Sequence, residues 1–216
     1  MTNLKPRFVP LGDSALLVRF GDRLDDEANR AAIGFAARLA EAPPEGVEEI
    51  VPNLVSVLLV FDPRLTTADR VSADLRLLAP EAWDTPIESK DSHTVSVTFD
   101  GEDLGEVAAL LELDVPAFVG RHNESSIRVL ATGFAPGFVY CGFHPQALHV
   151  PRRTTIRASV PAGTILFAAG QTAIAATTVP TGWPVIGHTA FRNFDPVTDP
   201  PTTFRPGDRI VFEAMP

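Results

Sequence analysis

The chain has 216 residues, 45% apolar and 21% charged, with a formal net charge of −9. That balance suits a folded protein with a sizeable core, excludes a disordered chain, and argues against a nucleic-acid polyanion as partner. No apolar run approaches the ~20 residues of a membrane span, no signal-peptide core follows Met1, and a single cysteine excludes an internal disulfide, so a cytoplasmic location is expected.

The first half reads as strands alternating with helices. Residues 15–20 are apolar and suit a strand. Asp25 or Asp26 can cap a helix to about residue 40, with Ile33, Ala36, Ala37 and Ala40 on one face, and Pro43-Pro44 stops it. Residues 47–51 and 54–61 read as strands. Thr66 or Thr67 caps a second helix with Val71, Leu75 and Leu78 in register, and 93–99 alternates like a strand. The order βαββαβ is the ferredoxin-like pattern.

Composition changes near residue 90. Residues 1–100 hold four glycines and the remainder eleven, and the stretch 79–86, with Pro80 and Pro86, reads as a linker. A ferredoxin-like domain over 1–90 and a β-rich domain over 91–216 are expected. The second opens with helical segments at 103–111 and 115–121. Short apolar runs broken by Gly and Pro follow, at 127–131, 137–140, 164–168, 173–177, 184–186 and 209–212, which suggests a barrel or sandwich.

Several residues could carry chemistry. His122, between a helix and a strand, is either a general acid/base at a barrel rim or a capping histidine. Gly133, Phe134, Gly137 and Tyr140 belong to a run in which glycines allow close backbone approach and aromatics can wall a pocket; a tight turn is the plainer reading. Arg152, Arg153 and Arg157 suit carboxylate or phosphate recognition, or pairing with the chain's own carboxylates. Gly170-Gln171 could offer a carboxamide from a turn. Pro145 between His144 and His149 argues against a helical zinc pair, no metal site is expected, and Cys141 reads as a buried thiol. The only lysines are Lys5 and Lys90, neither in a Gly-rich loop, so a Walker phosphate loop is absent.

Taken together, these segments resemble the family of the kinase inhibitor KipI, the B subunit of 5-oxoprolinase and allophanate hydrolase subunit 1. The resemblance spans nearly the whole chain. It rests on Gly12-Asp13-Ser14-Ala15, Arg121-His122, Gly133-Phe134-Ala135-Pro136-Gly137-Phe138-Val139-Tyr140, Pro151-Arg152-Arg153, Arg157, Val160-Pro161-Ala162-Gly163, Gly170-Gln171-Thr172, Gly182-Trp183 and Pro206-Gly207-Asp208. It implies a ferredoxin-like domain followed by a cyclophilin-like β-barrel. It also implies a component of a multi-subunit, ATP-dependent hydrolase of amide or lactam bonds, with 5-oxoproline or allophanate as substrate. The partner would be a second subunit, of the type of the KipI antagonist or the C subunit of 5-oxoprolinase, with a possible further component, and partner subunits would bind or share the ATP. The alternative is a KipI-like inhibitor that binds a sensor histidine kinase. In the enzyme reading His122, Tyr140 and Gln171 are the catalytic candidates. Arg153, Arg157, Gly133, Phe134, Gly137 and Gly170 are the substrate-binding ones. The chain departs from the family pattern at Ile156, Ala175, Ala176, Thr181 and His188, which bears on the substrate.

Overall fold

The computed structural model describes residues 5–77 and 91–215, and the chain divides into two compact units, Met1–Glu88 and Ser89–Pro216. The linker expected at 79–86 and Leu78 of the second helix lie outside the described residues.

The first unit runs β1 (Arg7–Leu11), β2 (Ala15–Arg19), α1 (Asp26–Glu41), β3 (Val47–Pro52), β4 (Ser56–Phe61) and α2 (Ala68–Leu77). Asp25 caps α1 by accepting the Ala28 N–H at 2.8 Å, and Thr67 accepts the Arg70 N–H at the start of α2. The strands form an antiparallel sheet in the order β1-β2-β4-β3. Leu16, Val18, Val57, Leu59 and Phe61 pack with Ala28, Ala32, Phe35 and Leu39 of α1 and with Val71 and Leu75 of α2. Each fully buried Leu or Phe contributes about 1.5–3 kcal/mol.

The ferredoxin-like expectation needs correction at its last strand. That segment is β5 (Ser92–Val97), and it pairs in parallel with β13 (Arg209–Ala214) in the second unit. Val95 and Val97 are buried there in the barrel core. The edge position beside β2 is filled by β1, which the sequence reading missed because Pro6 and Pro10 interrupt the run. On an edge strand a proline's missing N–H need not break the ladder.

The second unit continues with α3 (Leu104–Leu110), α4 (Val115–His122), β6 (Ile127–Thr132), β7 (Val139–Gly142), β8 (Arg157–Val160), β9 (Thr164–Ala168), β10 (Gln171–Ile174), β11 (Val179–Thr181) and β12 (Val185–His188). Seven strands form one sheet in the order β12-β9-β10-β7-β6-β13-β5. Thr98, just beyond β5, bridges His188 at the end of β12, so the two edges meet and the sheet nearly closes into a barrel. β8 and β11 form a separate two-stranded ribbon.

β9 and β10 are buried on both faces. Ile165, Phe167 and Ile174 join the larger core with Val95, Phe118, Val129 and Val139. Their neighbours Leu166, Ala168 and Ala173 join a second cluster with Phe138, Val160, Val179 and Trp183. Two-sided burial is why these strands read as unbroken apolar runs rather than alternating ones. Among the described residues no helix is long and apolar enough to cross a membrane.

Candidate functional site

The second cluster leaves a pocket of about 400 Å³ between β7 and the ribbon, lined by residues from three segments. Phe134 and Phe138 come from the loop into β7, and Tyr140 from β7 itself. Arg152, Arg153, Thr154 and Ile156 come from the segment before β8. Pro180, Thr181, Gly182 and Trp183 come from β11 and the turn after it.

The loop into β7 has an unusual backbone. Gly133, Phe134 and Gly137 have φ of 125°, 79° and 69°, and Phe134 holds this conformation without being glycine. The residue is 70% exposed, and its ring meets Phe138 edge-on at 5.5 Å. Gly137 is required on a second ground, because a Cβ there would run into the side chains of Phe194 and Ala176.

Tyr140 sits between Phe138 at 4.9 Å and Trp183 at 6.1 Å. Burial raises its phenol pKa, with the charge of Arg152 acting in the opposite direction, so the hydroxyl stays a donor at neutral pH. The Arg152 guanidinium lies 5.3 Å from the Trp183 ring centroid. Among the described residues no carboxylate pairs with it.

The other two arginines are engaged. Arg157 grips Asp103 bidentately at 2.6 and 2.9 Å and reaches Glu102 at 2.8 Å. Arg153 meets the same carboxylate at 2.6 Å and Glu106 at 3.3 Å. Asp103 also accepts the Val185 N–H at 2.7 Å, so it ties the start of α3 to β12 instead of capping the helix with its side chain. Burial works to raise the Asp103 pKa, but the Arg157 and Val185 hydrogen bonds and both guanidinium charges outweigh it and hold the carboxyl below its ordinary range. Arg153 still lines the pocket; Arg157 does not.

The rim position expected for His122 is not what the fold produces. His122 ends α4 and is 1% exposed, ringed by Phe99, Phe118, Phe167 and Phe212. Its Nδ1 lies 2.6 Å from the Asn123 Oδ1 and its Nε2 2.8 Å from the Thr172 hydroxyl. The same hydroxyl is 2.8 Å from the His144 Nε2, and the two rings stack at 4.7 Å. Since Asn123 presents an acceptor, His122 carries its proton on Nδ1 and accepts from Thr172 at Nε2; His144 then donates to Thr172 from Nε2. Burial lowers the His122 pKa to about 4 and the His144 pKa to about 3, the latter helped by the neighbouring histidines 122 and 149. Both are neutral at pH 7.

Strand parity separates the candidates. Thr172 pairs with Cys141 and Ala173 with Tyr140. Thr172 therefore faces the larger core with His122, while Tyr140 and its diagonal neighbour Gln171 share the opposite face. Gln171 is 4% exposed, its Oε1 has no hydrogen-bond partner among the described residues, and it does not line the pocket. Gly170 holds φ of 70° in the β9–β10 turn, with the His149 ring so close that a Cβ would collide with it. The fold thus gathers Phe134, Tyr140 and Arg153 at one pocket and leaves His122, Gln171, Arg157 and Gly170 outside its lining. The sequence reading named Arg152 beside Arg153 and Arg157 but gave no site role to Trp183 or Asp103. The pair Arg152-Arg153 held the available signal, since two adjacent guanidiniums in an extended segment can diverge, one toward Asp103 and one toward Trp183. Cys141 is buried and its thiol pKa is pushed up, and among the described residues no cluster of three or more His, Cys, Asp or Glu could hold a metal ion.

The carboxyltransferase domain family, subdomains C and D, matches residues 6–204 of this chain. The B subunit of the Bacillus subtilis 5-oxoprolinase is 30% identical over 94% of this chain and 90% of its own length. The chain belongs to the carboxyltransferase-domain family that includes this relative. A crystal structure of TTHA0988 superposes with a TM-score of 0.83 at 34% identity, covering 94% of this chain and 41% of that one, so this chain spans about two fifths of TTHA0988. The Kluyveromyces lactis urea amidolyase shares the fold, with a TM-score of 0.77 at 14% identity over 99% of this chain and 15% of that one.

Proposed function

We infer that this chain is one subunit of an ATP-dependent complex that opens an amide-type bond, with 5-oxoproline as the substrate, and that the pocket around Arg152 binds the substrate's carboxylate. The observation that carries this reading is the guanidinium without a carboxylate partner, set over Trp183 and beside Tyr140 in an aromatic pocket. Arg152 supplies a charge-assisted, fork-shaped pair of donors for the carboxylate. Phe138 and Trp183 cover the flat faces of a five-membered lactam. The Tyr140 hydroxyl, kept protonated, donates to the lactam carbonyl. The relatives named as B subunits of 5-oxoprolinase support the substrate class. Arg153 positions the wall: its backbone N–H donates to the Gly182 carbonyl at 2.7 Å, next to Trp183.

The pocket is a poor fit for a triphosphate. It holds one unneutralised guanidinium and no lysine, so no step through ATP is assigned to these residues. We place nucleotide chemistry on partner subunits, one of the type of the 5-oxoprolinase C subunit and a further component, in the cytoplasm. We keep the reading of two domains with a boundary near residue 90, the second a cyclophilin-like barrel. Exposed Phe134 and Ile156 at the pocket, 70% and 75% accessible, favour a second reading in which an apolar helical segment of a histidine kinase docks there.

Calorimetric titration of 5-oxoproline into the chain, with and without the partner subunit, tests the main reading. Arg152→Ala should weaken binding by roughly ten- to a hundredfold, the loss of about 1.5–3 kcal/mol from a charged hydrogen bond, with the circular dichroism spectrum unchanged. Absence of 5-oxoproline binding in both settings, alongside inhibition of kinase autophosphorylation, would transfer the pocket to the second reading.

A further inference from the structure

The N-terminal sheet has a second face. Pairing registers carry one row straight across it, Val9–Leu17–Leu58–Val51, and a second row, Leu11–Ala15–Val60–Glu49. Alternation places both rows opposite the face that buries Leu16, Val18, Val57 and Leu59 against the helices. Glu49 is the only charged side chain among the eight. None of the eight belongs to a core cluster, and Val9, Leu11 and Val51 are 38%, 45% and 41% exposed. A third row begins Arg7–Arg19–Ser56. Arg7 and Glu49 therefore stand at diagonally opposite corners of an apolar field.

We propose that this face is the interface of a homodimer, in which a second copy of the chain lays the same face against it across a two-fold axis. The corner charges commit the face to its own copy. Four strands span about 14 Å and four residues along a strand about 13 Å, so the field is nearly square. A dyad lying between the sheets, perpendicular to the Arg7–Glu49 diagonal, sets each Arg7 over the Glu49 of the second copy, twice by symmetry. It crosses the two sets of strands at roughly 90°, one of the two ways in which sheets stack. The apolar rows then meet at the centre, a dry core within a charged rim. Arg7 is paired with Asp22 at the surface, where both side chains are more than half exposed; such a pair is worth little and gives way easily.

Sedimentation equilibrium of the full chain should show a concentration-dependent dimer. Leu58→Glu should leave a monomer with the wild-type circular dichroism spectrum, and Val51→Lys, at an edge position that tolerates charge, should weaken the dimer without touching the core. Arg7→Glu and Glu49→Arg should each weaken dimerisation by roughly tenfold, because each replaces two attractions by two repulsions. The combined Arg7→Glu/Glu49→Arg chain should recover most of that loss. A wild-type chain that stays monomeric, a dimer that survives both Leu58→Glu and Val51→Lys, or a charge swap no tighter than the single reversals would overturn the proposal. Binding of 5-oxoproline to the pocket is read separately and should be the same in all these variants, so failure here leaves the pocket assignment standing.

Discussion

Lowering the pH from 7 toward 4 should destabilise the second unit steeply, and the step should begin near pH 6.5. His122 and His144 titrate near 6.5 when unfolded, and burial lowers them to about 4 and about 3 in the fold. Below 6.5 the unfolded chain takes up protons that the folded chain refuses, so stability falls as pH falls. Where both histidines are charged only in the unfolded state, the slope reaches about 2.7 kcal/mol per pH unit. Protonation also breaks the directional hydrogen-bond chain. A charged His122 would have to donate from Nε2 to a Thr172 hydroxyl that already accepts from His144. The rings against His122 are aromatic, and the neighbouring His122 and His149 both act to lower the His144 pKa.

Denaturant unfolding followed at half-unit steps from pH 7 to 4 measures this slope. His144→Gln keeps a donor for Thr172 but removes one titrating group, and should reduce the slope to about half. An unchanged pH dependence in His144→Gln would show that the histidine pair is not its source. His122→Ala should cost folding stability, about 2–4 kcal/mol from the cavity and the orphaned Thr172 and Asn123 groups. Its effect on turnover per folded complex should be small, since His122 is buried away from the pocket lining.

Local signals were legible and distant ones were not. The Asp25 cap, the Pro43-Pro44 stop and the Val/Leu-rich β4 are each encoded within a few residues, and the elements form there. The alternation in 93–99 also announced a strand, which forms over Ser92–Val97, but not which sheet would take it. Its partner is more than 100 residues away at 209–214, and no local pattern encodes parallel pairing over that separation. The ribbon strands β8 and β11 are four and three residues long, the latter holding Pro180, below the length at which periodicity speaks.

The site follows the same division. The run 133–140 carried its own signal, because two glycines and three aromatics in eight residues have few uses other than a turn and a wall. His122 carried none that separated core from rim. Its environment is made by Thr172, fifty residues on, and by His144, which the sequence suggested dismissing because Pro145 excluded a metal pair. The arginines were read as suited either to ligand recognition or to pairing with the chain's own carboxylates, and nothing near them in sequence is acidic, so no local signal named the partner. Asp103 lies about fifty residues upstream, visible only as a possible helix start.

That carboxylate underlies the largest expected effect of a single substitution. Asp103 joins Arg153, Arg157 and the Val185 N–H, with its own side chain only 5% exposed and the arginines 28% and 22%. Removing it by Asp103→Ala leaves two guanidiniums and one backbone donor without their shared acceptor, and breaking a buried ion pair from one side costs about 3–5 kcal/mol. Thermal unfolding at neutral pH should register that loss. Asp103→Asn, which keeps the shape and one acceptor oxygen, should lose less. Because the folded pKa lies below 3.8, the carboxylate's contribution is fully present at neutral pH and is lost only as pH falls through that lower value, well below the histidine step. The discriminating measurement is the double variant. Arg157→Ala made in the Asp103→Ala background removes a guanidinium left with only the more exposed Glu102 as partner and should recover part of the stability, whereas Arg157→Ala alone should destabilise. If the two substitutions simply added, solvent rather than Asp103 would be neutralising Arg157. The same network sets the direction of Arg153, whose backbone holds Gly182 beside Trp183, so Asp103→Ala should also loosen 5-oxoproline binding in whatever fraction stays folded.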